Sequence, residues 1–203
     1  MLHGKHDVWR GIDMANSFKE SFRKQMLNKR KQYSQHEADA CSEIICKRIG
    51  IFMDYRKAKN VMIYLPINSE VNTIPIINMC LDEGKRVFLP SIQNNEIVPC
   101  EFIGFDKLEK ASFGVHEPIC KDAFESLEID LICVPGLAFN FGKYRLGYGG
   151  GYYDKFLPKL RENCFKVGLA YDFQITNLLP IEAHDFPMDI VITEDQFIGD
   201  RNN

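Results

Sequence analysis

From Arg145 to Asp154 the chain reads Arg-Leu-Gly-Tyr-Gly-Gly-Gly-Tyr-Tyr-Asp, a short segment that holds a guanidinium, a carboxylate, four glycines and three tyrosines. Gly147, Gly149, Gly150 and Gly151 permit close backbone approach and positive φ, so several amide N–H groups can converge on phosphate oxygens. Arg145 can pair bidentately with phosphate, and Asp154 can serve a hard cation such as magnesium. Tyr148, Tyr152 and Tyr153 offer flat faces and hydroxyls. Together they suit a phosphate-bearing ligand and a planar ring. Each also has a plainer reading: the glycines as a tight turn, Tyr153 as core, Asp154 as a charge favourable at a helix amino terminus. The segment is neither a P-loop nor a dinucleotide fingerprint. Gly142 and Gly147 have P-loop spacing, but Tyr148-Gly149 stands where Lys-Ser/Thr is required, and Tyr152 occupies the third fingerprint glycine.

A second constellation lies far away in sequence. On a helix from Ser17 to about Tyr33, Phe18, Phe22, Met26 and Tyr33 form an apolar stripe, with Lys19, Arg23 and Arg30 in a basic stripe beside it. Long basic side chains at such a border can pack their stems and present charge to a cleft. Most charged helix faces are only solvated.

The elements that must position these groups alternate. Ser34-Gln-His-Glu37 is a capping box that opens a second helix. Val61-Met-Ile-Tyr-Leu65 is a buried-strand run ended by Pro66, Thr73 can cap a helix that stops at Gly84, and Arg86-Val-Phe-Leu89 returns as a strand, which makes a βαβ unit. Glu96 to Ile103 reads as an edge strand and 106–128 as an irregular excursion. Leu131-Ile-Cys-Val134 is a buried strand closed by Pro135-Gly136, and it leads through the glycine segment into a helix from Tyr153 to about Arg161. Phe165 to Ala170 and Ile190 to Thr193 supply the last strands. The pattern predicts a three-layer α/β/α fold with a largely parallel sheet. In such folds ligands bind outside the carboxyl ends of strands, where the glycine segment lies.

At 203 residues and 45% hydrophobic content the chain can build one core. Residues 1 to 16 are set aside as a disordered extension, with Met14 as an alternative start, and 17–203 are read as a single domain. A net charge of −3 argues against bulk attraction to nucleic acid or anionic membrane. An RNA-binding role for Lys24, Lys29, Arg30 and Lys31 therefore has little support. The seven cysteines are scattered without a Cys-x-x-Cys pair and read as reduced core thiols, hence a cytoplasmic protein. A monomer is expected, with no membrane or nucleic-acid partner.

Arg145 to Asp154, preceded by Val134-Pro-Gly-Leu-Ala-Phe139, closely resembles the carboxy-terminal signature of the 5-formyltetrahydrofolate cyclo-ligase family, also called 5,10-methenyltetrahydrofolate synthetases. The likeness extends from Ser17 onward through Leu65-Pro-Ile-Asn-Ser-Glu-Val-Asn-Thr73, Gly84-Lys-Arg-Val-Phe-Leu-Pro90 and His184-Asp-Phe-Pro-Met-Asp189. The resemblance implies a NagB/RpiA/CoA transferase-like fold. It also implies ATP- and Mg²⁺-dependent cyclisation of 5-formyltetrahydrofolate to 5,10-methenyltetrahydrofolate, with ADP and phosphate released. Carried over by position, Lys19, Glu20, Ser21, Phe22 and Arg23 join Arg145, Leu146, Gly147, Tyr148, Gly149, Gly150, Gly151, Tyr152 and Tyr153 around ATP. Leu65, Glu70, Tyr148, Gly149, Gly150, Gly151 and Tyr152 take the folate, Asp154 and Asp189 the metal, and Arg145 and Tyr152 act on the reacting groups. Glu70 would accept hydrogen bonds from the pterin amino and ring N–H groups. A scaffold that binds folate or nucleotide without turnover is the competing reading, and the intact Arg145, Glu70, Asp154 and Asp189 argue against it.

Overall fold

The computed structural model describes residues 4–110, 116–118, 120 and 124–199, with 4–16 and 110 as backbone alone. In chain order, α1 (Gly4–Gln32), α2 (Gln35–Ile49) and the short α3 (Met53–Lys57) precede β1 (Asn60–Met62). Then come α4 (Ile74–Asp82), β2 (Arg86–Gln93), β3 (Glu96–Glu101) and a small pair, β4 (Leu108–Lys110) and β5 (His116–Pro118). After β6 (Leu131–Pro135) the hairpin β7 (Ala138–Phe139) and β8 (Arg145–Leu146) leads to α5 (Tyr152–Phe156). The chain closes with β9 (Phe165–Leu169), β10 (Ile190–Ile192) and β11 (Phe197–Ile198).

The sheet has seven strands in the order β11-β10-β9-β6-β1-β2-β3. Its five inner strands run parallel, with Val61 opposite both Val87 and Leu131, and Val134 opposite Gly168. β3 and β11 close the two edges antiparallel. Strand residues alternate between faces. Val61, Leu131, Cys133, Val167, Ile190 and Ile192 pack with Ile45 and Ile49 of α2 and Ile76 and Ile77 of α4. Met62, Ile132, Val134 and Val191 face the other way, onto Phe156 and Leu157. Two covered faces explain why these strands read as unbroken apolar runs, each fully buried aliphatic side chain contributing about 1.5–3 kcal/mol.

A third, smaller cluster decides where α1 sits. Met26 packs with Leu137, Ala138 and Leu146 around the β7–β8 hairpin, with Phe22 half-buried beside them. The apolar stripe of α1 thus docks on the hairpin that carries Arg145, and Arg23 and Arg30 of the basic stripe reach the glycine segment.

The capping box at Ser34 is present: Glu37 N–H donates to Ser34 Oγ at 3.3 Å and Ser34 N–H to Glu37 Oε2 at 3.1 Å. Four expectations change. First, α1 starts at Gly4 rather than Ser17; no proline interrupts 4–16, and extending an existing helix adds one hydrogen bond per residue fixed. Residues 1–3 of the expected disordered extension lie outside the described residues. Second, Thr73 occupies the cap position of α4 but its hydroxyl donates to the Tyr64 carbonyl at 2.6 Å; Asn72 Oδ1 accepts from Ile74 N–H instead. Third, the helix expected to run to Arg161 ends at Phe156 and continues as a 3-10 turn over Leu157–Lys159, since Pro158 lacks the N–H an α-helix needs. Fourth, Cys100 and Cys120 form a disulfide, contrary to the expectation that all seven cysteines are reduced. The intervening excursion returns their Cα atoms to 5.2 Å, within bridging distance, which spacing along the chain cannot reveal. Cys41, Cys46, Cys80, Cys133 and Cys164 are free.

Candidate active site

The glycine segment leaves the β7–β8 hairpin and turns sharply into α5. Gly149 (φ 111°) and Gly151 (φ 65°) both hold left-handed backbone that side-chain-bearing residues rarely adopt. α5 itself is only five residues long, so little macrodipole accumulates; any anion here depends on loop amides and side chains more than on the helix.

Arg145 is the hub. Its residue is 8% exposed, Nη2 donates to Asp154 Oδ1 at 2.9 Å, and its Cζ lies 5.2 Å from the Tyr153 ring centroid. Among the described residues its buried Nε has no acceptor. Burial pushes the guanidinium pKa down, and the charges of Asp154, Tyr153 and Asp185 oppose that shift. A buried cation with a donor to spare beside a glycine turn suits an anionic ligand, because an unpaired buried donor is costly until something accepts from it.

α1 reaches the loop as its basic stripe requires. Arg23 Nε donates to the Gly147 carbonyl at 3.0 Å and its guanidinium lies alongside Gly149. Lys19 is buried, with Nζ 2.9 Å from Glu182 Oε2 and 3.2 Å from Asp185 Oδ2. Glu20 and Ser21 are exposed, and Phe22 packs against the hairpin cluster and stacks on Phe18, so these three belong to the helix rather than to the loop.

On the other side, Glu70 is 8% exposed and both its oxygens are engaged: Oε1 accepts from the Tyr148 hydroxyl at 2.9 Å and Oε2 from Ile67 N–H at 3.1 Å. Leu65 is half-buried against the core below. Tyr152 reaches the β2–β3 turn, where its hydroxyl is 3.5 Å from Asn95 Oδ1. Asn94 and Asn95 both have positive φ there, as a two-residue hairpin turn requires. Tyr148 and Tyr152 therefore tie the loop to two different segments, the Glu70 turn and the β2–β3 turn.

Of the two expected metal ligands, Asp154 is in place on α5 beside Arg145. The structure gives the Asp189 carboxylate to Lys166, whose N–H donates to Oδ2 at 2.7 Å and whose Nζ lies 3.3 Å away. From the same motif it is Asp185 that meets Lys19 and bears on Arg145. Glu182, His184 and Asp185 each offer a ligand atom within 4.8 Å of the others. Neither Asp185 nor Glu182 was expected near Lys19; Asp185 lies inside the His184–Asp189 motif and Glu182 just before it. Nor did the basic stripe reveal what Arg30 meets.

The model of the 5-formyltetrahydrofolate cyclo-ligase family matches residues 15–194. The chain belongs to that family. A probable 5-formyltetrahydrofolate cyclo-ligase from Schizosaccharomyces pombe is 31% identical, with 81% of this chain and 89% of that protein covered. The Mus musculus 5-formyltetrahydrofolate cyclo-ligase is 28% identical, with 89% and 96% covered. The solution structure of Aquifex aeolicus 5,10-methenyltetrahydrofolate synthetase superposes with a TM-score of 0.81 at 34% identity, covering 91% of this chain and 94% of that one. Family membership makes this an enzyme of the cyclo-ligase type, acting in folate one-carbon metabolism. Among the described residues no helix is long and apolar enough to cross a membrane.

Proposed function

We propose that this cyclo-ligase converts 5-formyltetrahydrofolate to 5,10-methenyltetrahydrofolate at the expense of ATP, with the phosphates held between α1 and the glycine loop. The formyl oxygen attacks the γ-phosphorus, forming an O–P bond as the bond to ADP breaks. The N10 lone pair then attacks the activated carbon, N10 loses its proton, and phosphate leaves with the former carbonyl oxygen. No protein nucleophile is needed, so the chain must position and neutralise.

The observation that carries this reading is Arg145: a buried guanidinium, tied to Asp154 on one nitrogen and open on another, beneath a loop with two glycines at positive φ. Arg23 brings further positive charge to the same loop, where charge gathers on the transferring phosphoryl group, while Lys19 on the same helix is paired with Glu182 and Asp185. Tyr148 and Tyr152 offer flat faces for the folate, with Leu65 below and Glu70 to accept from the pterin N–H groups. Gly147 to Tyr153 lie between the two substrates.

The carboxylates fit a magnesium ion. Asp154 has one oxygen on Arg145 and is partly open, and Asp189 is 44% exposed, whereas Asp185 is more buried and already accepts from Lys19 and Glu182 N–H, so we assign the ion to Asp154 and Asp189. When bound, the ion would neutralise β- and γ-phosphate charge. We further propose a monomer, in keeping with a chain able to bury its own core; the Cys100–Cys120 disulfide removes the reduced-thiol argument for a cytoplasmic location.

The test is the ultraviolet absorbance of methenyltetrahydrofolate appearing from 5-formyltetrahydrofolate, with and without ATP and magnesium. Growth that requires both supports the reading. Growth without ATP, or none beside an active family member, sinks it.

A further inference from the structure

Arg30 is among the largest fully buried side chains of the protein, at 1% exposure, yet it lies in neither the glycine loop nor the Glu70 turn. A buried guanidinium is costly unless its donors are met. Here they are met by functional segments. Nε donates to the Ser69 carbonyl at 3.1 Å, Nη2 to the Ile67 carbonyl at 3.4 Å, and Nη1 to the Tyr148 hydroxyl at 2.8 Å. Arginine only donates, so the Tyr148 oxygen must accept from Arg30 and pass its own proton toward Glu70 Oε1, 2.9 Å away. The direction of the chain is fixed by its first member.

Two consequences follow. The turn from Ile67 to Glu70, with Asn68 at φ 51°, is held by two carbonyls from one rigid fork. Tyr148, 42% exposed, has its hydroxyl anchored inward, so its ring can present a face outward at the loop. Each Glu70 oxygen accepts one internal donor and keeps acceptor capacity for one more, which suits the paired N–H donors of an aminopyrimidinone edge.

We propose that Arg30 is a positioning residue for the folate: it clamps the turn bearing Glu70, aims Tyr148 at that carboxylate, and holds the carboxylate directed at the pterin. The inference rests on Glu70 and Tyr148 contacting folate, as read above. Burial pushes the Glu70 pKa up, while Ile67 N–H, the Arg30 charge and the Tyr148 hydroxyl pull it down. The other titratable groups bearing on it are Tyr64, Tyr153 and, at its backbone carbonyl, the Tyr171 hydroxyl. Arg30 is the cation among these groups. Folate binding needs the carboxylate, so kcat/KM for folate climbs with pH through the Glu70 pKa, and losing Arg30 moves that limb to higher pH.

Initial rates across pH with both substrates varied test this. Arg30→Met should raise the KM for 5-formyltetrahydrofolate about 10-fold or more, the loss expected for hydrogen bonds to a charged group, with the KM for ATP within about 2-fold. The acid limb should move upward, and Arg30→Lys should restore most of its position because the charge remains. Tyr148→Phe, at a half-exposed position, should move the limb in the same direction by less; if Arg30→Met does not fold, Arg30→Lys, which keeps the charge but loses the fork to Ser69 and Ile67, decides the matter by raising the folate KM and not the ATP KM. Equal rises in both KM values with an unmoved limb, or an unmoved folate KM, overturn the role of Arg30. Glu70→Gln separates the two readings. If it leaves the folate KM unchanged, the folate assignment of Glu70 fails and Arg30's with it; if it raises that KM while the Arg30 and Tyr148 variants do not, only the inference about Arg30 fails.

Discussion

Arg145 Nη2 and Asp154 Oδ1 are 2.9 Å apart, and the pair joins the strand that enters the glycine loop to the helix that leaves it. The arginine side chain is 5% exposed and the aspartate 19%, so the two are unequal partners. Asp154→Asn strands a buried cation and should cost about 3 kcal/mol in urea unfolding, toward the range for breaking a buried pair. Arg145→Lys keeps the charge but loses the planar fork, and should lower kcat by about 100-fold or more with a smaller stability cost. Rates and unfolding midpoints on the same preparations check both. A stable Arg145→Lys with unchanged kcat removes Arg145 from the chemistry.

Asp185 and Asp189 stand four positions apart but have different partners, Lys19 and Lys166. Asp189→Asn should raise the magnesium concentration needed for half-maximal rate by about 10-fold, as expected when a ligand of a hard cation is lost. Asp185→Asn should leave that requirement within about 2-fold and cost about 1–3 kcal/mol of stability, because its carboxylate is buried against Lys19. The reverse pattern in a magnesium titration moves the second ligand to Asp185.

The contrast marks where sequence reading runs out. Apolar runs such as Leu131 to Val134 announced the inner strands because two covered faces leave no room for polar alternation. The glycine segment announced itself through φ requirements and residue chemistry, and the stripe on α1 foretold that Arg23 could reach a cleft. Periodicity along one helix says nothing of what the helix meets. Lys19 finds Asp185 across 166 positions, and Arg30 finds Tyr148 across 118. Those pairings depend on where Met26 docks against Leu137 and Leu146, a tertiary outcome with no local signal. The Cys100–Cys120 bridge was hidden for the same reason.

Asp130 ties three segments at the start of β6. Its Oδ2 accepts from Lys59 N–H at 2.7 Å and Asn60 N–H at 2.8 Å, and Oδ1 pairs with Arg161. Burial alone would raise its pKa, but the Asn60 and Lys59 N–H groups and the Arg161 charge outweigh that and hold it below the ordinary 3.8. A depressed carboxyl stabilises the fold above its unfolded pKa, and that contribution is lost as pH falls through the folded value. Wild type should therefore lose stability below about pH 4, and Asp130→Asn should be less stable at pH 7 by about 1–2 kcal/mol yet show a flatter acid slope. Urea midpoints from pH 2 to 7 check this; parallel slopes in the two proteins remove Asp130 as a source of acid sensitivity.

The disulfide between Cys100 and Cys120 closes a loop over a sequence separation of 20, a stretch that holds β4 and β5. Cross-linking mainly restricts the unfolded chain, and a loop of this size should contribute about 3 kcal/mol. Reduction should lower the free energy of unfolding by that amount, and Cys120→Ser should match the reduced wild type. Activity at 25 °C should survive, since Cys100 lies on β3 and Cys120 just after β5, outside the glycine loop and the Glu70 turn. The remaining thiols should respond differently. Cys46, Cys80 and Cys164 are buried, and desolvation pushes their pKa values to about 12, about 11 and about 12. Thiolate attack at neutral pH is correspondingly suppressed. A thiol reagent added to the native, oxidised protein should therefore label the half-buried Cys41 first. Reduction beforehand should add Cys120, also only half-buried, ahead of the core thiols. Equal labelling of Cys46 and Cys41 in the folded protein would mean that the α2 face opens far more readily than its packing against β1 and α4 allows.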